Sequence, residues 1–260
     1  MNKKYMMLYG KKSILERLNT NPASIIEVFT KNDFDNAGIL NMIREHNLPI
    51  KSLTEKKLKG IKSSRNVQGI IAKVVNFEYT QYEQLLSDCS ARKCCLIFLD
   101  GINDPHNLGV IIRTLACFGG YGLVLPANGS CEVNDTVLHV AVGGENYLPI
   151  SIVENLSTAV SEAKSLGIKI FSSVVDIAAK SIYTATLKRP LGIVFGSEHS
   201  GISKEILDLA DEKLHIPTPG AALSLNINIA CAIACSYINN LHRLPCLISG
   251  NQSWGMSSIV

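Results

Sequence analysis

At 260 residues, with 47% hydrophobic and 18% charged side chains, the chain is long enough for one large domain or two small ones and too apolar for a disordered tract. Its net charge of +3 hides an asymmetry: residues 1–76 carry fourteen Lys and Arg against six Asp and Glu, whereas residues 77–260 carry eleven against sixteen. Eight cysteines without a Cys-x-x-Cys spacing argue against a metal or disulfide framework and for a reducing, cytoplasmic setting.

The basic first part, residues 1–76, reads as a compact α/β module. The pattern predicts a helix over Lys11–Asn19, a strand over Ile25–Phe29, a helix over Asp33–His46 and a strand over Pro49–Leu53. A short basic helix and a closing strand over Gly69–Val75 follow. Charge concentrates in Lys51–Arg65, where Lys51, Lys56, Lys57, Lys59, Lys62 and Arg65 are opposed only by Glu55. Taken alone, such a run is a solvated helix face; a module with this excess is also an electrostatic footprint for a polyanion. Residues 77–92 lose the basic bias and read as a linker.

From residue 93 onward, predicted strands Cys94–Leu99, Gly122–Leu125, Lys169–Val175 and Leu191–Phe195 alternate with helices Leu108–Phe118, Asn155–Leu166 and Ser203–Ala210. Alternation of this kind implies a parallel sheet covered by helices on both faces. In Leu108–Phe118 the only charge is Arg113, on a helix that looks apolar almost all round. A guanidinium there needs a partner, such as Asp100 or Glu198, or a wet ligand site, because an unpaired buried charge costs several kcal/mol. The loop Gly196-Ser197-Glu198-His199-Ser200-Gly201 follows a strand, at the end where open α/β sheets bind ligands. It lacks the Lys-Ser/Thr of a P-loop, and no Gly-x-Gly-x-x-Gly occurs, which disfavours a nucleotide-dependent oxidoreductase.

A last strand, His215–Pro217, runs into Pro217-Thr218-Pro219-Gly220 and then a final helix, Leu225–Leu241. Two prolines and a glycine make this loop either a tight turn into a core helix or a rigid wall offering main-chain groups to a flat polar ligand. Between Ala221 and Leu241 there is no charged residue, but Ser224, Asn226, Asn228 and Ser236 interrupt the run. A buried helix, covered on all sides, fits better than a membrane span. Residues 246–260, rich in Gly, Ser and Asn, read as a loose tail.

Three segments, in this order, resemble the SpoU branch of the SPOUT superfamily of RNA ribose 2′-O-methyltransferases: Asn107 with Arg113; Gly196-Ser197-Glu198; and Ile216-Pro217 with Gly220, Ser224, Leu225 and Asn226. Tyr9-Gly10-Lys11 near the start and Asn66-Val67-Gln68-Gly69 at the close of the first module also look like the family. Within it, the arrangement is most similar to enzymes that methylate a guanosine of 23S rRNA; close relatives modify tRNA. His199 and Thr218-Pro219 depart from the usual pattern.

The resemblance implies an α/β fold: a trefoil-knotted parallel-sheet methyltransferase domain over 93–245 behind a small α/β RNA-binding domain. It implies a homodimer packed through the final helix and the first-motif region, with neither membrane nor metal. S-adenosylmethionine would lie against main-chain groups near Gly196, Ile216 and Leu225. Arg113 would activate the ribose hydroxyl electrostatically, since a guanidinium keeps its proton at neutral pH. The RNA phosphate or Glu198 would assist, Asn107 and Asn226 would orient Arg113 or the ribose, and Ser224 would contribute a hydroxyl near the phosphate. Beside such a domain, the basic run becomes an RNA backbone contact. A catalytically silent RNA-binding or ribosome-assembly factor is the rival reading.

Overall fold

The computed structural model describes residues 5–54, 67–198, 200–220 and 223–242. The basic run beyond Thr54, His199 and the carboxyl-terminal tail lie outside these residues.

The first module is a four-stranded sheet in the order β1–β4–β2–β3, formed by β1 (Met6–Tyr9), β2 (Ile25–Thr30), β3 (Ile50–Ser52) and β4 (Ile70–Val74). Two helices pack on it, α1 (Lys11–Thr20) and α2 (Ala37–Glu45). The helix expected from Asp33 begins at Ala37, because the Asn36 side chain accepts the Ile39 N–H and caps the first turn there. Strand β1 was not foreseen; four residues are too few to show alternation.

The supposed linker is structured. Residues Tyr82–Arg92 form helix α3, with Tyr82, Leu85, Leu86 and Cys89 buried. Their i, i+3, i+4, i+7 spacing is an amphipathic stripe, and the polar residues between them form its solvated face.

The larger sheet has seven strands, all parallel, in the order β7–β6–β5–β10–β8–β11–β9. These are β5 (Cys95–Asp100), β6 (Tyr121–Pro126), β7 (Ile150–Val153), β8 (Lys169–Ser173), β9 (Lys180–Ser181), β10 (Leu191–Gly196) and β11 (Glu212–His215). Helices α4 (Pro105–Phe118), α5 (Asp135–Ala141) and α8 (Ile227–His242) contribute to the core on one face. On the other face lie α3, α6 (Leu156–Ser165) and α7 (Lys204–Leu209). The central strands β5 and β10 are buried from Cys95 to Leu99 and from Leu191 to Phe195, as a doubly covered sheet requires. Short elements account for what the pattern missed: α5, β7 and β9 have seven, four and two residues.

Gly109 sets how closely α4 and α5 approach, since a Cβ there would lie 2.6 Å from the Val140 Cβ. Helix α8 is anchored at its far end by Tyr121, whose hydroxyl donates to the Cys235 carbonyl at 3.1 Å. Asn239 bridges outward from the same helix, donating to the Phe118 carbonyl and accepting from Arg189. Met6, Leu8, Ile14 and Leu18 of the first module share one continuous apolar core with Leu108, Ile112, Val137 and Leu138 of the second.

Candidate active site

The loops after β5, β10 and β11 leave the same edge of the parallel sheet, and their side chains converge on Glu198. Helix α4 starts earlier than the pattern suggests, because Asp104 caps it, accepting the His106 N–H at 2.9 Å, and Pro105 takes the first helical position. Asn107 therefore sits on the first turn of a helix, held by its backbone. Its Nδ2 donates to Glu198 Oε1 at 3.1 Å.

Asn226 reaches the same oxygen from the other side, Nδ2 to Oε1 at 2.7 Å. It also caps α8: its Oδ1 accepts the Asn228 N–H at 2.8 Å, and its carbonyl accepts from Ala230. With Oδ1 committed to the helix, only the amide nitrogen is left for the carboxylate, which fixes the orientation of the group.

A third asparagine completes the cluster. Asn228 Nδ2 donates to Asn107 Oδ1 at 2.7 Å, while Asn228 Oδ1 is buried with no hydrogen-bond partner. Sequence reasoning counted Asn228 only as an interruption of an apolar run. Its signal was available, since it lies two residues past a capping Asn on the face that meets α4. The result is an exposed carboxylate fixed by two amide donors, beside one buried acceptor left unspent. An unspent buried acceptor costs about 1–3 kcal/mol unless an incoming donor satisfies it.

The Gly196–Gly201 loop is a closed turn. Ser197 and Gly201 exchange main-chain hydrogen bonds of 3.1 Å, and the Ser197 and Ser200 hydroxyls lie 2.7 Å apart. A Cβ on Gly196 would fall 2.1 Å from the Gly201 carbonyl carbon, so only glycine lets the turn fold back and aim Glu198 at the asparagines.

Beyond β11, Ile216 is half-buried against the core and anchors the proline loop, while Pro217 to Gly220 stand exposed. Ser224 and Leu225 are exposed as well. Among the described residues, no hydrogen bond uses the main chain of Thr218, Gly220, Leu223 or Leu225. A rigid loop with uncommitted amides and carbonyls, separated from the glycine turn by the single strand β8, suits a nucleoside ligand that hydrogen-bonds to backbone.

Arg113 departs from expectation. It is exposed and makes no hydrogen bond or ion pair among the described residues. Its two candidate partners are occupied: Asp100 accepts from the Ser203 N–H at 2.7 Å, and Glu198 from Asn107 and Asn226. Six residues beyond Asn107, it points about 120° away around α4 and lies about 9 Å further along the axis. The helix is not apolar all round either, because His106, Val110, Arg113 and Cys117 form one exposed stripe at i, i+4, i+7, i+11. Helix α8 likewise leaves Ile229 51% and Leu241 44% exposed, so it is not covered on all sides within one chain.

Comparison with known proteins places this geometry. The SpoU rRNA methylase family model matches residues 95–236, and a model for RNA 2′-O ribose methyltransferase substrate binding matches residues 7–80. The 23S rRNA (guanosine-2′-O-)-methyltransferase RlmB of Blochmanniella floridana is 32% identical over 87% of this chain and 91% of its own. An uncharacterised tRNA/rRNA methyltransferase of Synechocystis is 36% identical over 68% of this chain, which spans about half (47%) of that relative's length. The SpoU methyltransferase AviRb of Streptomyces viridochromogenes, solved in complex with AdoMet, superimposes with a TM-score of 0.76 over 92% of this chain and 91% of its own, at 16% identity. Fold and family matches together define an RNA 2′-O-ribose methyltransferase. The chain belongs to the SpoU rRNA methylase family.

No helix among the described residues is long and apolar enough to cross a membrane, and no cluster of three His, Cys, Asp or Glu there could hold a metal ion.

Proposed function

We propose that the chain methylates a guanosine 2′-hydroxyl of 23S rRNA in the cytoplasm, as a homodimer, with S-adenosylmethionine as donor. The observation that carries this reading is the convergence of Asn107 and Asn226 on Glu198 from two elements distant in sequence, with Asn228 holding Asn107. Likeness to RlmB over 87% of the chain supports this choice of target. When bound, S-adenosylmethionine supplies a methyl group on a cationic sulfonium, which an aligned oxygen displaces in line.

The chain's own residues then have three tasks. Main-chain groups at Gly196, Ile216 and Leu225 hold the donor, with the proline loop as a stiff wall through the knot that the family resemblance implies. Glu198, kept in one orientation by Asn107 and Asn226, faces the ribose and accepts or steers its hydroxyl hydrogen. Ser224, exposed at the rim, reaches the RNA phosphate. Arg113 lowers the cost of developing oxyanion charge by standing close to it.

Arg113 does this in the second subunit's site. Within its own chain it faces away from Glu198, on an exposed stripe with Val110, while α8 exposes Ile229. Packing α4 and α8 against a second copy would bury those apolar side chains and carry the guanidinium of the partner subunit toward the unspent acceptor of Asn228.

The test is transfer of labelled methyl from S-adenosylmethionine to total RNA, followed by mapping of the modified nucleotide in cells with and without the protein. A 23S guanosine supports the full reading. A tRNA position would keep the chemistry and replace the target. No transfer to any RNA would leave a silent RNA-binding factor.

A further inference from the structure

Arg17 attracts no notice in the sequence, one cation among fourteen in a basic module. In the structure it is the most enclosed of the described ones. Its side chain is 8% exposed and crosses from α1 to Glu145, whose side chain is fully buried, at 2.8 Å. The fork is shared: Nη1 donates to the Ser24 hydroxyl at 3.2 Å, and that hydroxyl donates to the Asn21 carbonyl. Burial pushes the Glu145 carboxyl up while the Arg17 charge opposes it, so the pair is held against a real desolvation cost.

What Glu145 belongs to gives the pair its meaning. It sits in the turn Gly143-Gly144-Glu145 between α5 and β7, wedged between the two modules. On one side, a Cβ on Gly143 would fall 2.5 Å from the Glu16 side chain. On the other, a Cβ on Gly144 would fall 3.0 Å from the Arg113 Cα. The first module thus rests, through two glycines, on the back of the helical turn that carries Arg113. Neighbouring contacts complete the seat: the Met7 N–H donates to Asp135 Oδ1 at 2.9 Å, Tyr9 stacks on His139 at 4.2 Å, and Tyr147 hydrogen-bonds Glu16.

The lever arm is long. The seated edge of the small sheet is β1, and Lys51, the first residue of the basic run, stands on β3 at the opposite edge, about 14 Å away across three strand spacings. A small rotation at the junction becomes a displacement of ångströms where RNA would be held.

We propose that Arg17 and Glu145 are positioning residues that lock the RNA-binding module in register with the helix bearing Arg113. This rests on the reading of that module and of Arg113 given above. One hydrogen bond across the junction, from Arg17 to Glu145, aimed by a second from Arg17 to Ser24 within the first module, fixes an orientation that apolar packing alone would leave free to rock. A misplacement of about 1 Å at a reacting group can cost about a hundredfold in rate, so a loosened junction is expected to lower methyl transfer without touching the donor pocket.

The test compares the full-length protein with Arg17→Met, with Arg17→Lys, and with the double variant Arg17→Met/Glu145→Leu, which leaves no unpaired buried charge and serves as the folded control. With RNA and S-adenosylmethionine saturating, the single-turnover rate of the double variant should fall about tenfold, with affinity for both ligands within about twofold of wild type. Arg17→Lys, which keeps a cation on Glu145, should recover part of the rate. A second readout needs no activity: protection of the Met7 amide, which bonds across the junction, should drop at least about tenfold by hydrogen exchange in the double variant. A wild-type rate together with wild-type Met7 protection in the double variant overturns the proposal. If the wild-type protein methylates no RNA, the proposed function fails, while Met7 exchange still decides whether the pair sets the docking.

Discussion

Arg17 and Arg113 exchange the places their surroundings suggest. Arg113 lies in a helix full of Leu, Ile and Val and stands in solvent; Arg17 lies among lysines and glutamate and is buried. Helix α4 gives its apolar residues to two of its own neighbours, α5 and α8, and leaves one stripe uncovered. Helix α1 is polar on most of its surface, but Ser13, Ile14, Arg17 and Leu18 share the face that meets the rest of the molecule. An arginine is therefore judged by its angular position on the helix, not by its neighbours in sequence. The junction around Arg17 pairs its charges within one chain, whereas among the described residues no cation bonds Glu198, and the proposed function brings one from a second subunit.

The sharpest way to break this contrast is to remove each charge in turn. Arg17→Met leaves Glu145 buried without a countercharge, with only the Asn146 amide at 3.5 Å among its side-chain partners, and should destabilise the fold by about 3–5 kcal/mol in urea unfolding. Replacing Glu145 by Leu as well should restore most of that loss. Equal stability of Arg17→Met and wild type would mean that the pair is hydrated.

Arg113→Ala should leave stability unchanged, because an exposed, unpaired side chain loses nothing by truncation. Its methyl transfer should fall by about 10²–10³-fold with S-adenosylmethionine affinity retained by calorimetry. Mixing Arg113→Ala subunits with Glu198→Gln subunits should recover activity well above either alone, since one site of each mixed dimer regains both groups. No recovery on mixing would place Arg113 in its own chain's site. Val110→Asp with Ile229→Asp should convert the dimer to monomers in sedimentation; a wild-type monomer would remove the second-subunit argument altogether.

Much of the larger sheet was legible, because long buried strands are local signals. Asn107, Glu198 and Asn226 were legible through the family resemblance, which picked them out beyond a strand end, within a glycine turn and after a proline loop. The junction was not legible, since Arg17 and Glu145 are 128 residues apart and neither looks unusual beside its neighbours. Helix α3 was missed for another reason: its stripe was present, but loss of positive charge was taken as loss of structure.

The basic run offers a weaker effect. Lys56, Lys57 and Lys59 changed together to Ala should reduce the dependence of log RNA affinity on log salt by up to about one unit for each lysine that touches phosphate. An unchanged slope would move the RNA contact elsewhere.

Lys51, counted in that run, is partly neutralised already, which sets up the smallest test. It bonds Glu27 from β3 to β2, and Lys73 on β4 lies 3.5 Å from the other carboxylate oxygen. The Lys51 hydrogen bond, foremost, and the Lys73 charge hold the Glu27 carboxyl below its ordinary range against a burial cost. A depressed carboxyl contributes stability that is present above its unfolded value and lost as pH falls through the folded one. Glu27→Gln should therefore cost under about 1 kcal/mol at pH 7, because solvent screens a pair whose lysine is 61% exposed, and should cost still less at pH 3. The buried pair at Arg17 is expected to lose about 3–5 kcal/mol when broken, so equal losses from Glu27→Gln and Arg17→Met would erase the distinction between a solvated pair and an enclosed one.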